Sequence, residues 1–143
     1  MIASRRAYEE DAYLENADLV VDRIFWAAYN LEQFDEADRW CRTGAERFPT
    51  NHRFALCRLA LMTIPGATAA PAEAWSALAR LDSLAPAHQA EADHLEGLLH
   101  VGGVLAAAGM PDSARAVWGR ARAAATPHVD PARWLYQVEA YVR

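Results

Sequence analysis

One phrase occurs twice in this chain and is echoed a third time. Asn30-Leu31-Glu32-Gln33-Phe34-Asp35-Glu36-Ala37 is followed by Trp40-Cys41, Gly44 and Pro49. Gly109-Met110-Pro111-Asp112-Ser113-Ala114 is followed by Trp118, Ala121 and Pro127, and between them Pro71-Ala72-Glu73-Ala74 is followed by Leu78, Leu81 and Pro86. In each copy a turn opens a helix on a small residue (Ala37, Ala74, Ala114) and a bulky residue sits four positions on (Cys41, Leu78, Trp118). A proline then closes the unit. Such self-similarity constrains the fold more than any local propensity does, because a short helical repeat buries its apolar face only by stacking on its neighbours.

The rest of the chain reads as helix, with almost no strand. Ala7, Leu14, Ala17, Val21, Ile24, Phe25 and Ala28 form an apolar stripe at helical spacing over 5–30. A tight turn at 32–34 leads into a partner helix over 35–47, with Asp35 and Glu36 placed to meet its positive N-terminal end. Further helices are expected over 52–63, from Pro71 to about Ala85, over 87–108, from Pro111 to about Ala125, and from Asp130 to the end. Pro71 and Pro111 suit first-turn positions, where a missing N–H costs nothing. Gly109 is a good helix stop, and Asp130-Pro131 is a cap followed by a first-turn proline.

Composition narrows the function. A net charge of −5 argues against nucleic acid, since binding a polyanion takes a basic stripe that releases counterions. The basic residues are all arginine, and several lie at helical spacing from acids, as in Asp35/Arg39 and Asp38/Arg42. With abundant alanine, this is a bacterial-like composition. The longest apolar run, Gly97 to Gly109, carries His100 and four glycines and is too short to span a bilayer, so no membrane is expected. The start of the chain does not read as a signal peptide, and the expected setting is a reducing cytoplasm. There, Cys41 and Cys57, on consecutive helices that could bring them near each other, are expected as two buried thiols, with a bond or redox pair as the lesser alternative.

Paired helices joined by short turns, at a repeat of about 34 to 40 residues, resemble the tetratricopeptide repeat (TPR) family, whose pattern is W-x2-L-G-x2-Y, then A-x3-F, then P. The third copy matches best, with Leu98, Val101, Gly102 and Leu105 in the first helix, Gly109 in the turn, and Ala114, Trp118 and Ala121 in the second helix. The first copy carries Val21, Ile24, Phe25 and Ala28, then Phe34, Ala37, Cys41, Gly44 and Pro49. The second copy fits in its second helix, while its first helix aligns in two registers. The chain departs from the family in its alanine spacings of 37 and 40 residues, and in Glu32, which stands where a turn glycine is usual. The resemblance implies an all-α, right-handed superhelix of about three helix pairs (5–49, 50–86 and 87–127) plus an extra helix over 130–143. The whole is a single domain that reads as a fragment of a longer chain.

The resemblance also implies a non-catalytic scaffold that binds a protein or peptide, with no cofactor, as one module of a regulatory or signalling protein. In the family register the partner-facing groove is carried by Leu19, Asp22, Trp26, Tyr29 and Asn30 in copy one, Arg53 in copy two and Glu96 in copy three. Trp26 and Tyr29 are the aromatic anchors such an interface needs, unless Trp26 is simply buried under the next helix. The TPR subclass that grips a C-terminal carboxylate uses Lys, Arg and Asn on this edge. Here Asp22, Trp26 and Asn30 stand instead, so that activity is not expected.

Two other readings compete. In one, the segment is architectural and only stacks on adjacent repeats or self-associates through its C-terminal helix, whose Trp134, Leu135, Val138, Tyr141 and Val142 are apolar over much of its circumference. In the other, Glu91 and His94, at Glu-x-x-His spacing in a run with His88, Glu96 and His100, hold a metal or small ligand. Helical di-metal sites need two such motifs and only one is present, so a solvated face is expected and no metal. No Gly-rich phosphate loop, nucleophile elbow or metal quartet appears, and the chain is not expected to be an enzyme.

Overall fold

A computed structural model describes residues 2–10 and 16–124, with 7–10 by backbone alone. Among the described residues the structure is entirely helical with connecting turns: α1 (Ile2–Glu10), α2 (Ala17–Asn30), α3 (Phe34–Arg47), α4 (His52–Leu61), α5 (Pro71–Leu84), α6 (Ala90–Ala107) and α7 (Pro111–Ala124). The helix expected over 130–143, with Trp134, Leu135, Val138, Tyr141 and Val142, lies outside the described residues.

The stripe over 5–30 is not one helix. Asn16 adopts a left-handed backbone (φ 68°), and α2 begins directly after it. Asparagine tolerates that conformation better than most residues, and a right-handed helix cannot run through it. The helix expected over 87–108 starts later, at Ala90, because 86–89 close a turn with Gln89 N–H donating to the Pro86 carbonyl at 2.9 Å. The helix expected over 52–63 ends at Leu61.

Two of the three repeat turns are the same object. At the end of α2, Gln33 N–H reaches the Ala28 carbonyl (2.9 Å) and Glu32 N–H the Tyr29 carbonyl (3.0 Å). At the end of α6, Met110 N–H reaches Leu105 (2.9 Å) and Gly109 N–H reaches Ala106 (3.1 Å). Both are Schellman caps, in which one left-handed residue lets the chain reverse while satisfying the last carbonyls. Glu32 (φ 58°) and Gly109 (φ 76°) occupy that position. The two turns match residue for residue, so the sequence echo between copies one and three is a structural one. In copy two, a longer connection over 62–70 replaces the cap.

Each helix packs on the next, and α2, α4 and α6 also touch one another in series. The core forms two clusters that meet at α4. Phe54, Cys57 and Ala60 join Val21, Ile24, Phe25, Ala37 and Cys41, while Leu56 and Leu59 join Leu78, Leu81, Leu98, Val101 and Trp118. A helix that feeds two cores is apolar on two sides, which is why α4 carries no clean amphipathic stripe. Gly102 marks the closest helix approach in the last pair: a Cβ there would collide with the Trp118 indole, which donates from Nε1 to the Leu99 carbonyl at 3.1 Å.

Cys41 and Cys57 are not separate thiols. They are joined as a disulfide between α3 and α4, with Cα atoms 5.9 Å apart, and both are fully buried. The expectation of unlinked cysteines is corrected because consecutive antiparallel-type helices here approach at these two positions. A bonded pair belongs in an oxidising setting, and a reducing one opens it. No helix of the described residues is long and apolar enough to cross a membrane.

Candidate functional site

The middle of α2, the first half of α4 and the start of α6 border an open cleft of about 280 Å³ lined by Asp22, Trp26, His52, Arg53, Leu56, Gln89, Ala92, Asp93 and Glu96. Four of the seven expected groove residues, Asp22, Trp26, Arg53 and Glu96, are brought together there. Leu19, Tyr29 and Asn30 are not part of this lining. Asn30 is exposed at the end of α2, and Leu19 is partly buried. Tyr29 is drawn toward the core: its hydroxyl donates to the Ala60 carbonyl at 3.4 Å, and its ring meets Phe25, Trp26 and Phe34.

The cleft is set up by the start of α4. Asn51 caps that helix, accepting from Arg53 N–H at 3.0 Å, and its side-chain amide donates to Asp18 Oδ2 at 2.9 Å. One residue thus ends the loop, starts the helix and ties it to α2. Arg53 then lies between two α2 carboxylates, 3.7 Å from Asp18 and 3.8 Å from Asp22. On the opposite wall, His52 Nδ1 lies 2.5 Å from Asp93 Oδ2. A carboxylate only accepts, so Nδ1 carries the proton. This bond links α4 to α6 on side chains that are only 12% exposed.

Trp26 is both core and wall. It meets Phe25 edge-on at 4.8 Å and Tyr29 at 5.5 Å, and packs against both apolar clusters, yet stays half-buried and faces the cleft. Beside it, burial raises the Asp22 carboxyl above its ordinary value, and the Arg53 guanidinium and a Trp26 hydrogen bond offset this only in part.

The sequence did not single out His52, Gln89 or Asp93. The register that pairs 19–30 of α2 with 96–107 of α6 overlooks the extra turn at the start of α6, where Gln89 and Asp93 sit. His52 was hidden by the ambiguous register of the second copy. An acid in the first turn of a long helix, near a histidine opening another, was the available signal.

The histidine run of α6 divides. His94 Nδ1 pairs with Asp82 of α5 at 2.9 Å, and His88 and Glu91 are exposed. Among the described residues no three His, Cys, Asp or Glu side chains converge as a metal-ligating group. His100 departs from the expected solvated face: it is buried in the core, with Nδ1 3.4 Å from Thr63 Oγ1 and Nε2 without a hydrogen-bond partner among the described residues. Burial lowers its imidazole from 6.5 to about 4.

Compared with protein-family models, curated proteins and solved structures, the chain matches none.

Proposed function

We propose that this chain is a non-catalytic scaffold of the tetratricopeptide type, a right-handed superhelix of helix pairs, and that its α2–α4–α6 face binds a segment of a partner protein. It acts as one module of a larger regulatory or signalling protein, without a cofactor and without nucleic acid or membrane as a partner; in the cytoplasm, the setting proposed for it, Cys41 and Cys57 stand as a reduced pair, and the bonded form belongs to an oxidising compartment. The observation that carries this reading is the convergence of Asp22, Trp26, Arg53 and Glu96, from three different repeats, on one cleft. A half-buried tryptophan held edge-on by Phe25 and Tyr29 has already lost most of its freedom, and rigid aromatics of that kind anchor interfaces. The residues around it are polar, charged and tied to helix starts, as the rim of a recognition surface is.

The test is selection of a random peptide library on the whole chain. Enriched peptides should bind the wild-type protein and lose affinity for Trp26→Ala and Arg53→Ala, both checked for retained helicity. Peptides that bind all three proteins equally, or no enrichment at all, would end the groove reading.

A further inference from the structure

We infer that Cys41 and Cys57 form a reversible redox site, a dithiol in reducing surroundings and a disulfide in oxidising ones, and that closing the bond clamps α4 to the first repeat. The oxidant is a low-molecular-weight disulfide such as oxidised glutathione. The inference does not depend on the groove reading above.

Placement comes first. α4 is shared between the two apolar clusters, and Cys57 lies on the side that joins Val21, Phe25, Ala37 and Cys41. Cys41 belongs to α3, so the bond crosses from the first helix pair to the next. Stacked repeats hold together through such neighbour contacts, and a seam between them is where one unit opens apart from the rest.

The seam is built without the bond. Gly44 of α3 faces Phe54 of α4 so closely that a Cβ on Gly44 would collide with the phenyl ring. Phe54 is buried and stacks on Phe48 at 5.8 Å. About one turn back along α3 from Gly44 and one turn forward along α4 from Phe54 stand Cys41 and Cys57. The two pairs run in opposite directions along their helices, as in any antiparallel pair. The Gly44–Phe54 contact therefore already sets the register that brings the sulfurs together. The Cα atoms of the cysteines, 5.9 Å apart, lie within the span that a disulfide bridges without backbone movement.

The open form is provided for as well. The Phe54 carbonyl lies 3.2 Å from Cys57 Sγ and 3.9 Å from Cys41 Sγ. When the bond opens each sulfur gains a proton, and that carbonyl is in place to accept from both S–H groups. Two thiols there pack as small apolar groups. Neither state strands a buried donor.

Both sulfurs are fully buried. Reagents reach them only when α3 and α4 part locally, so exchange is slow and confined to that opening. In the opened seam a thiolate of the pair attacks one sulfur of the oxidant. A mixed disulfide forms, and the other half of the oxidant leaves as a thiolate. The second cysteine, as its thiolate, attacks the protein sulfur of the mixed disulfide, forms the Cys41–Cys57 bond and releases the remaining half. The two protons lost by the cysteines end on the two released thiolates. Two protein thiols are oxidised and one disulfide is reduced to two thiols, and a dithiol reductant runs the sequence backwards. The closed seam, packed with Ala37, Phe54 and Ala60, has no room for the mixed disulfide, so re-closing favours the second attack.

The experiment equilibrates the full chain in buffers of reduced and oxidised glutathione, starting once from the dithiol and once from the disulfide. Acid-quenched samples are read by intact mass, and circular dichroism is followed in parallel. Both starting points should converge on the same mixture of dithiol and disulfide, with helicity retained and no glutathione adduct accumulating. In urea that unfolds the chain, the same oxidised fraction should require a ratio of oxidised to squared reduced glutathione about a hundredfold higher. Hydrogen exchange should show α3 and α4 losing more protection on reduction than α6 and α7. Loss of helicity on reduction would make the bond a structural staple and overturns the inference. Failure to re-form the bond in the folded chain, an accumulating adduct, no difference between folded and unfolded chain, or an even loss of protection over all four helices overturns it equally.

Discussion

His100 makes the folded chain sensitive to mild acid. It sits mid-helix in α6, is 3% exposed, and its Nε2 has no hydrogen-bond partner among the described residues. The core therefore holds the neutral ring, and burial lowers its protonation to about pH 4. The unfolded chain takes up this proton near its ordinary value of 6.5. The unfolded state thus binds more protons than the native state between those two values. The stability tied to neutral His100 is fully present above about pH 6.5 and is lost progressively as pH falls toward 4, where the loss levels off. A gap of about 2.5 pH units at about 1.4 kcal/mol each amounts to about 3–4 kcal/mol, with about 2 kcal/mol already gone at pH 5. Urea unfolding followed by circular dichroism, from about pH 7.5 to about pH 4.5, reads this directly against His100→Leu. The carboxylates titrate alike in both proteins, so the difference between them isolates the histidine. Wild type should lose its advantage over His100→Leu, or extend its deficit, by about 2–3 kcal/mol over that range. Parallel curves would refute the claim that the ring is buried and neutral.

Glu32 in the first repeat turn takes the left-handed backbone that Gly109 takes in the third. Glu32→Gly should therefore stabilise by about 1 kcal/mol in chemical denaturation. Gly109→Ala should cost about as much, since a Cβ there meets no neighbour and only the backbone objects. Trp118→Ala should destabilise by about 3–5 kcal/mol, while Arg122→Ala, on the exposed side of the same helix, should stay within about 0.5 kcal/mol of wild type. Similar denaturation midpoints for those two variants would mean that the helix phase is wrong. The Cys41–Cys57 bond closes a loop of 16 residues, and its reduction should lower stability by about 3 kcal/mol. An intact mass under non-reducing conditions equal to that of two free thiols would contradict the pairing.

Repetition made the helices legible. Ala37, Ala74 and Ala114 are all buried at helix contacts, and Trp118 fills the space opposite Gly102, because close approach leaves room only for small residues facing large ones. The cost at Glu32 was legible too, since a glycine in the matching turn defined the backbone that position must adopt. The division of the first stripe was not legible. Asn16 adopts a conformation that its tertiary setting selects, while the apolar periodicity runs through it. The disulfide depends on where two helices cross, which spacing along the chain does not fix. In the cleft, the α2 residues and Glu96 follow from the repeat register. His52 and Asp93 lie at helix starts, where the copies differ in length and the register gives no guidance.

The partner-facing role of the α2–α4–α6 face is tested most directly by photo-crosslinking. A peptide enriched on the chain, carrying one photoreactive residue, would be irradiated with the protein and the adducts mapped by mass spectrometry. The account places the adducts on the cleft, at Trp26, Arg53, Gln89 or Ala92. Adducts confined to the far side, at the exposed Trp75 of α5 or at Arg120 of α7, would contradict it.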